Sequence, residues 1–491
     1  MDVRPLHIFH RGQVREVQNL PVTTTVLQYL REQAHCTGTK EGCAEGDCGA
    51  CTVIVGELVD GELQFSNVNS CTQFLPTLDG RALITVEDLG SSLAPNPVQQ
   101  AMVECHGSQC GFCTPGFVMS LQACYEEHAE APSRQQLADA LSGNLCRCTG
   151  YRPILDAGQR MYELPVQRLD RAPIAAALKD LQRPLNYAAP NPAFGGRIDH
   201  FHAPRTLDEL AALREAKPQA RLLAGSTDVG LWVNKQFRDL GDVIYTGQVA
   251  ELREIRKGAD GLWIGAAATL EAAWAALVEL EPNLRELWLR FASPPVRHAG
   301  TLGGNIANGS PIGDGAPALI ALGAEVVLRK GATQRRMKLE DFYLDYMKNA
   351  MQPGEFIEGM LVPPQVPGTQ IRAYKIAKRY DSDISAVCAV FALQFDGRTV
   401  SSARFVFGGM AAIVKRAALA EAAVVGKEWN ETTLNEAVSA LDQDFKPLSD
   451  MRASAAYRQK VAGNLLRRMW LETRLDAPLS ARETSVWTAA S

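Results

Sequence analysis

Three cysteines in one short stretch have the spacing of an iron–sulfur site. Cys43, Cys48 and Cys51 form a C-x4-C-x2-C array within EGCAEGDCGAC, and Cys71 follows further along the chain. Plant-type [2Fe–2S] clusters are bound through this spacing, because two irons bridged by sulfides need four thiolates. Glycines between the ligands allow backbone amides to turn towards the cluster sulfurs. A zinc knuckle is the alternative, although zinc sites usually show paired C-x2-C units.

A second set of four cysteines follows in a stretch with helical periodicity. Cys110 and Cys113 form a C-x2-C pair, and Cys146 and Cys148 form a C-x-C pair. Both pairs are predicted at helix ends, where unpaired N–H groups favour anionic thiolates. Taken alone, this set could hold zinc. After a ferredoxin-type loop in the same chain, a second [2Fe–2S] cluster is the better interpretation.

Two further loops are rich in small residues. Residues 221–228 leave an apolar strand through a Gly-Ser-Thr turn, which could present backbone amides to a phosphate. Residues 301–308 and 310–314 are predicted as a second loop of Gly, Asn and Ser after a helix. Neither is a Walker or Rossmann motif, so an ordinary strand and turn is the default interpretation of the first loop alone.

Length and composition limit the class of protein. A chain of 491 residues predicts about three domains. A net charge of -5 and a pI near 6.0 give no indication of a nucleic-acid or anionic-membrane surface. The N-terminal residues lack a signal-peptide core, and no run of about 18 apolar residues occurs, so we expect a cytoplasmic protein without a membrane span. The cysteine spacings indicate ligands rather than disulfides.

Local patterns divide the chain into segments. The first is β-rich, the second is helical and the last two mix helices with strands. The stretch LNYAAPNPAFGGR is rich in Pro, Gly and Ala without an amphipathic period, so it is predicted as part of a linker. Thr206 is the expected N-cap of a helix, and a later helix is predicted at residues 415–424. The expected domains are residues 1–90, 91–163, 199–370 and 371–480, with a linker at residues 164–198.

Together, the cysteine motifs resemble the iron–sulfur part of the molybdenum hydroxylase family, which includes xanthine dehydrogenase and aldehyde oxidase. The similar stretches are EGCAEGDCGACT, QCGFCTPG and GNLCRCTGYRP. The resemblance implies a β-grasp ferredoxin-like domain for the first cluster and a four-helix domain for the second. Gln109 corresponds to a family position that touches the pterin of the molybdenum cofactor. The second cluster would therefore face that cofactor, and the first would face the flavin.

The small-residue loops resemble the FAD-binding half of the same family, whose fold is related to vanillyl-alcohol oxidase. The implied fold class is α+β multidomain, with a C-terminal α/β flavoprotein domain. Without the resemblance, Phe291 would be a core aromatic and Lys375 a surface charge. Tyr346 and residues 379–383 occupy family positions near the nicotinamide nucleotide, but RYDSD differs from the animal enzymes. The implied FAD contacts are Arg221, Leu222, Leu223, Ala224, Gly225, Ser226, Thr227, Asp228, Phe291, Thr301, Gly304, Asn305, Asp314, Ile357 and Lys375.

The resemblance covers nearly the whole chain, which ends where the molybdenum domains of one-chain relatives would begin. It implies an electron-transfer subunit with no catalytic residue of its own. A partner molybdenum subunit would oxidise xanthine or hypoxanthine to urate, and electrons would pass through the two clusters and FAD to NAD. The fused layout is similar to bacterial two-subunit xanthine dehydrogenases, and the family suggests a dimer of heterodimers.

Other interpretations stay open at this point. The partner subunit could act on an aldehyde, carbon monoxide or an N-heterocycle, and oxygen or a quinone could replace NAD. A non-catalytic scaffold stapled by two zinc ions would be colourless, whereas iron–sulfur clusters and flavin give a brown-yellow protein. A self-contained flavoprotein that oxidises NADH would need no molybdenum partner.

Overall fold

The computed structural model describes residues 2–485, which form two compact units. Unit 1 runs to Arg253 and also takes in Thr269–Glu271 and Ala292–Thr301. Unit 2 contains the rest of the described chain. Among the described residues, no helix has both the length and the apolar character needed to cross a bilayer.

The first sheet of unit 1 has five strands in the order β2-β1-β5-β3-β4. β1 and β5 are parallel, and the other neighbouring strands are antiparallel. Thr25 caps a short helix, Val26–Gln28, that continues as the π-helical turn Tyr29–Gln33. This is the predicted β-grasp arrangement. The strands are β1 (Leu6–His10), β2 (Gln13–Val17), β3 (Thr52–Val59), β4 (Glu62–Asn69) and β5 (Ala82–Ile84).

Four helices form the second part of unit 1, as predicted. The first begins with Pro97 and is capped by Asn96, whose side chain accepts a hydrogen bond from the Gln99 amide. Phe117, Leu121 and other apolar side chains of these helices share one buried core. The helices are Pro97–Glu104, Thr114–Glu127, Arg134–Ala140 and Arg152–Arg160.

The second sheet of unit 1 has the order β6-β7-β9-β8 and includes part of the expected linker. Leu185, Tyr187 and Ala189 alternate into the core, and Pro190 lies exposed on the edge strand β6, where a proline is tolerated. The strands are β6 (Leu185–Asn191), β7 (Arg197–Ala203), β8 (Arg221–Leu223) and β9 (Val243–Tyr245). The other helices that start in unit 1 are Arg171–Lys179, Leu207–Ala216, Val229–Asn234, Leu270–Leu280, which continues into unit 2, and Pro294–Ala299.

Unit 2 begins with a five-stranded sheet of order β10-β11-β16-β12-β13 and a β14–β15 hairpin. All of its neighbouring strands are antiparallel. The strands are β10 (Ile255–Gly258), β11 (Gly261–Gly265), β12 (Glu325–Lys330), β13 (Thr333–Lys338), β14 (Tyr343–Asp345), β15 (Lys348–Asn349) and β16 (Phe356–Val362). Its helices are Arg285–Arg290, Leu302–Asn308 and Gly315–Ala321.

The prediction of a loop at residues 301–308 is wrong, because Leu302–Asn308 is a helix. The Gly303 amide donates to the Ala266 carbonyl at 2.9 Å. A Cβ added at Gly303 would lie 2.5 Å from the Ala266 Cβ. The small residues therefore allow a helix to pack closely against Ala266, the residue that follows β11.

The C-terminal part of unit 2 is an antiparallel sheet, β17-β18-β19-β20, covered by helices. The helix predicted from Lys415 begins at Ala418, because Lys415–Arg416 pairs with β19 instead. The strands are β17 (Gln370–Ile376), β18 (Val387–Asp396), β19 (Thr399–Gly408) and β20 (Lys415–Arg416). The helices are Ala418–Val424, Glu431–Asp444, Ala455–Thr473 and Ala481–Thr484.

Candidate iron–sulfur and flavin sites

The first cysteine set converges in unit 1 around the β3–β4 hairpin. Cys43 and Cys48 lie in the loop before β3, Cys51 immediately precedes β3, and Cys71 follows β4. The Cys43 thiol is within hydrogen-bonding reach of Cys48 and Cys71, and Cys51 is within reach of Cys71. Because β3 and β4 pair from end to end, the hairpin brings the last ligand back to the other three.

The first set favours negative charge on the Cys43 sulfur, and the thiol hydrogen bonds that do so, together with burial, raise the pKa of Cys48 and Cys71. Hydrogen bonds from the Cys48 and Cys71 thiols hold the pKa of Cys43 well below its usual range. The Cys48 amide also donates to the Cys43 sulfur at 3.4 Å. Gly46 and Gly49 take positive φ angles of 78° and 69°, which turn the loop between the ligands. Such N–H···S contacts stabilise thiolates that bind a metal cluster.

The second set is built on two turns next to helix ends. Cys113 immediately precedes the helix Thr114–Glu127 and contacts Cys146, while Cys110 contacts Cys148. Burial and the hydrogen bond to Cys146 raise the pKa of Cys113 to about 12. The Thr149 hydroxyl donates to the Cys146 sulfur at 3.2 Å. This bond and two from backbone amides outweigh burial and lower the pKa of Cys146.

Both sets fit a two-iron cluster by the chemistry of their donors. Each offers four thiols in linked pairs, with N–H or O–H groups aimed at sulfur. Four thiolates are what a [2Fe–2S] cluster takes. Within residues 2–485, no three His, Cys, Asp or Glu side chains are grouped to hold a metal ion in the manner of a simple ion site.

The second set has two exposed cysteines, whereas the cysteines of the first set are buried or half-buried. Cys110 and Cys148 are exposed, and so is Gln109, the predicted pterin contact. Phe112, between the two cysteines of the first pair, is 47% exposed. Cys51 and Cys71 of the first set are buried.

The backbones of the two sets touch. The Leu145 amide, one residue before Cys146, donates to the Cys48 carbonyl at 3.0 Å. A Cβ added at Gly116 would collide with the carbonyl oxygen of Gly49, so the helix after Cys113 begins directly against the first ligand loop. A single hydrogen bond therefore links a ligand of the first set to the segment that carries the second.

The loop predicted to bind the FAD pyrophosphate lies in unit 1 directly after β8. A Cβ added at Gly225 would collide with the Ala299 carbonyl, and one added at Gly300 would lie 3.4 Å from the Thr227 hydroxyl. The structure thus brings this loop against the backbone that leads into Thr301. Ser226 takes a left-handed φ of 63°. A tight turn that leaves no room for a side chain at Gly225 and places Ser226 in a left-handed conformation fits a bound phosphate.

The same loop is tied to the first cysteine set. The Ser226 hydroxyl donates to the Thr72 carbonyl at 2.7 Å. The Asn234 side chain donates to the Cys71 carbonyl at 2.7 Å and to the Ala44 carbonyl at 3.2 Å. Sequence reasoning missed Thr72 and Asn234. Their only sequence signal is that Thr72 follows a predicted ligand and Asn234 closes the helix after the predicted loop.

The predicted flavin contacts of unit 2 include a buried ion pair. The Lys375 ammonium lies 2.6 Å from one oxygen of Asp314, and the Ser385 hydroxyl donates to the other oxygen at 2.6 Å. Both charged side chains are buried, so Lys375 is not a surface charge. The Asn305 side chain closely approaches Gly315, next to Asp314. Asn305, Asp314 and Lys375 are therefore grouped together.

The other predicted site residues of unit 2 lie in its strands, helices and turns. Phe291 is buried, with its ring 5.6 Å from Trp274. Ile357 is buried in β16, and Gly304 lies within the helix Leu302–Asn308. Tyr346 is 62% exposed at the β14–β15 turn. In the predicted nicotinamide segment, the Arg379 amide donates to the Asp383 carboxylate at 2.8 Å.

Four family models match the chain in succession. They describe a 2Fe-2S iron-sulfur cluster binding domain at residues 8–75, a [2Fe-2S] binding domain at residues 85–159, an FAD binding domain in molybdopterin dehydrogenase at residues 194–365, and a CO dehydrogenase flavoprotein C-terminal domain at residues 372–473. Two iron–sulfur domains and an FAD-binding domain are thus identified in the predicted order.

Relatives of known name agree with these domains. A xanthine dehydrogenase of Emericella nidulans is 31% identical over 94% of this chain and 38% of that protein. One of Drosophila subobscura is 34% identical over 79% of this chain and 33% of that protein. The chain thus spans 33% to 38% of the length of these two relatives. A solved chain of carbon monoxide dehydrogenase from Hydrogenophaga pseudoflava, 28% identical, aligns over 55% of this chain and 94% of its own length with a TM-score of 0.52.

Proposed function

Because this chain belongs to the molybdenum hydroxylase family and is its iron–sulfur and FAD part, we propose that it is the electron-transfer subunit of a xanthine dehydrogenase. A partner subunit with the molybdenum cofactor would oxidise xanthine or hypoxanthine to urate. This chain would take up the electrons and deliver them to NAD. The proposed assembly is a dimer of heterodimers.

The observation that carries the proposal is the direct hydrogen bonding between successive sites. The second cysteine set reaches the first through Leu145 and Cys48, which share a hydrogen bond of 3.0 Å. The predicted pyrophosphate loop reaches the first set through Ser226, whose hydroxyl donates at 2.7 Å to the carbonyl of Thr72, the residue after Cys71. Sites in series with short covalent and hydrogen-bonded links suit stepwise electron transfer from one centre to the next. The order also agrees with the surface position of the second set, where a partner has access.

The residues of this chain would hold three groups. The first cluster would take Cys43, Cys48, Cys51 and Cys71, and the second would take Cys110, Cys113, Cys146 and Cys148. The turn at residues 224–228 would hold the FAD pyrophosphate through its amides. FAD, when bound, accepts electrons singly and releases them as a hydride, which is the chemistry that a transfer from iron to NAD requires. Tyr346 and residues 379–383 are the proposed NAD contacts.

Xanthine is proposed because the relatives matched over most of this chain are named xanthine dehydrogenases. A second candidate keeps the relay and changes the partner's substrate to carbon monoxide, an aldehyde or an N-heterocycle. The match of residues 372–473 to a CO dehydrogenase flavoprotein domain favours this alternative. The substrate is bound outside this chain in either case.

Purification of the native complex through a tag on this chain tests the proposal. With xanthine and NAD, we expect urate and NADH in equal amounts and a molybdenum-containing partner in the preparation. If the complex contains iron, FAD and molybdenum but does not oxidise xanthine, the proposed electron-transfer role stands and the proposed substrate is wrong. A preparation without any molybdenum partner that oxidises NADH would overturn the proposal and favour a self-contained flavoprotein.

A further inference from the structure

A chain of polar groups in unit 1, buried apart from the half-buried His298, runs from the helix Pro294–Ala299 to the loop of the first cysteine set. Its members come from three regions that are distant in sequence, and no function described above uses them. This polar chain consists of His298, Asn67, Ser120, Asn144 and Thr52, and it ends at the carbonyl of Gly49.

The direction of the first hydrogen bond is set by chemistry. His298 Nδ1 lies 2.7 Å from the side-chain oxygen of Asn67 and 3.2 Å from its carbonyl. Both are acceptors, so Nδ1 carries a proton and donates. Burial lowers the pKa of His298, so the ring is neutral near pH 7 with its proton on this nitrogen.

The other hydrogen bonds continue in the same direction. The Asn67 amide group donates to the Ser120 hydroxyl at 3.2 Å, and this hydroxyl donates to the Asn144 side-chain oxygen at 2.6 Å. The Asn144 amide group then donates to the Gly49 carbonyl at 3.1 Å. Every donor points towards Gly49, so the dipoles of successive groups reinforce one another.

The end point lies between the two proposed cluster sites. Gly49 stands between the ligands Cys48 and Cys51, and Asn144 is two residues before Cys146. Gly49 also has no space for a side chain, because an added Cβ would lie 2.5 Å from the Asn144 amide nitrogen. Asn144 is therefore in contact with the first ligand loop while it is covalently attached to the second.

We propose that this polar chain is a positioning element for electron transfer between the two clusters: it fixes one ligand loop against the other and directs aligned dipoles at the first. The inference rests on the proposed cluster sites but not on the substrate. Donor groups that point towards a cluster loop stabilise the additional negative charge of the reduced state. Removing a central link therefore makes the first cluster harder to reduce relative to the second.

Ser120→Ala tests this inference because it removes the central hydroxyl and leaves the backbone and helix unchanged. The native complex is titrated anaerobically with dithionite, and electron paramagnetic resonance measures how one electron divides between the two clusters. We expect the equilibrium constant for transfer of the electron from the first cluster to the second to rise about fivefold. This is the factor that one net hydrogen bond typically contributes. Thermal unfolding is measured in parallel.

Thr77→Val is the matched control. Thr77 is another buried hydroxyl of unit 1, and it donates to the Phe74 carbonyl at 2.7 Å outside the polar chain. This variant should lose stability without changing the electron distribution. A wild-type distribution in Ser120→Ala, or an equal shift in both variants, would overturn the inference.

A second variant acts at the far end of the polar chain. His298→Phe removes the first donor but retains a ring, and it should shift the distribution in the same direction by a smaller factor. If Ser120→Ala does not assemble, an unshifted His298→Phe overturns the inference by itself. The measurement uses neither xanthine nor NAD, so it remains valid if the proposed substrate is incorrect. Failure to detect two cluster signals in the wild type would instead overturn the proposed function, and this inference with it.

Discussion

The Ser226 hydroxyl donates a hydrogen bond of 2.7 Å to the main-chain carbonyl of Thr72. This bond joins the predicted pyrophosphate loop to the residue that follows the ligand Cys71. Gly230 reinforces the contact, because a Cβ added there would lie 2.5 Å from the same carbonyl. The predicted flavin loop and the first cluster site are therefore held as one piece of structure.

Ser226→Ala should weaken FAD retention. The substitution removes the bond to Thr72, worth about 1 kcal/mol, while the residue keeps its left-handed φ of 63°. We expect faster loss of FAD during gel filtration and a lower thermal midpoint. Ser439→Ala, which alters an exposed helix hydroxyl, is the control. FAD retention equal to that of the wild type would show that this bond does not support the loop.

Gly116→Ala should disturb both cluster sites. The new methyl group would collide with the Gly49 carbonyl at the start of the helix Thr114–Glu127. Overpacking of this kind costs about 1–3 kcal/mol, and here it separates the two ligand loops. We expect lower iron content and weaker visible absorbance in the purified protein.

Gly258→Ala is the matched control for that substitution. An added Cβ at Gly258 has no atom within 4 Å. Iron content in this variant should equal that of the wild type. A full iron complement in Gly116→Ala as well would contradict the close contact between the two loops.

Lys375→Met should destabilise unit 2 strongly. It would leave the Asp314 carboxylate buried without its cation, although Ser385 still donates to it. Breaking one partner of a buried pair costs about 3–5 kcal/mol. The double variant Lys375→Met with Asp314→Asn removes both charges and should recover much of the loss in thermal unfolding. If the single variant is as stable as the wild type, the ion pair has no structural role.

Acidification should destabilise the protein through His202. Its ring is buried, and burial together with Lys217 lowers its pKa to about 4 from 6.5. Between these values the unfolded chain binds a proton that the folded chain excludes, so stability falls as the pH drops from about 6.5 to 4. This group contributes up to about 3 kcal/mol of that loss.

Comparison of His202→Phe with the wild type isolates this contribution. The variant should lose less unfolding free energy over the same pH range, as measured by thermal unfolding at each pH. His106→Gln, at an exposed histidine, should behave as the wild type does. Identical pH profiles for the wild type and His202→Phe would refute the assignment.

Local signals in the sequence predicted much of the fold. The signals that succeed depend on neighbouring residues: the cysteine spacings, the proline at the start of Pro97–Glu104 and the Thr206 cap. The structure has the two helices at the expected places. The edge strand Leu185–Asn191 was missed because Pro and Gly around it resemble a linker. Its pairing with β7 becomes evident only in the folded sheet.

Long-range contacts could not be predicted in this way. His298 and Asn67 are 231 positions apart, and Ser226 and Thr72 are 154 apart. Nothing near Ser226 in the sequence indicates that its hydroxyl meets a cluster segment rather than a ligand. Likewise, the glycines of residues 302–308 are typical of a loop in the sequence. In the structure they lie in a helix and allow it to pack closely against Ala266.

The Cys43→Ser variant tests the order of the relay most directly. In the anaerobic native complex, electron paramagnetic resonance would follow the second cluster after addition of xanthine or of NADH. We predict that the wild type reduces it from either side. In Cys43→Ser, which lacks an intact first cluster, xanthine should still reduce the second cluster and NADH should not. Reduction of the second cluster by NADH at the wild-type rate in this variant would contradict the account.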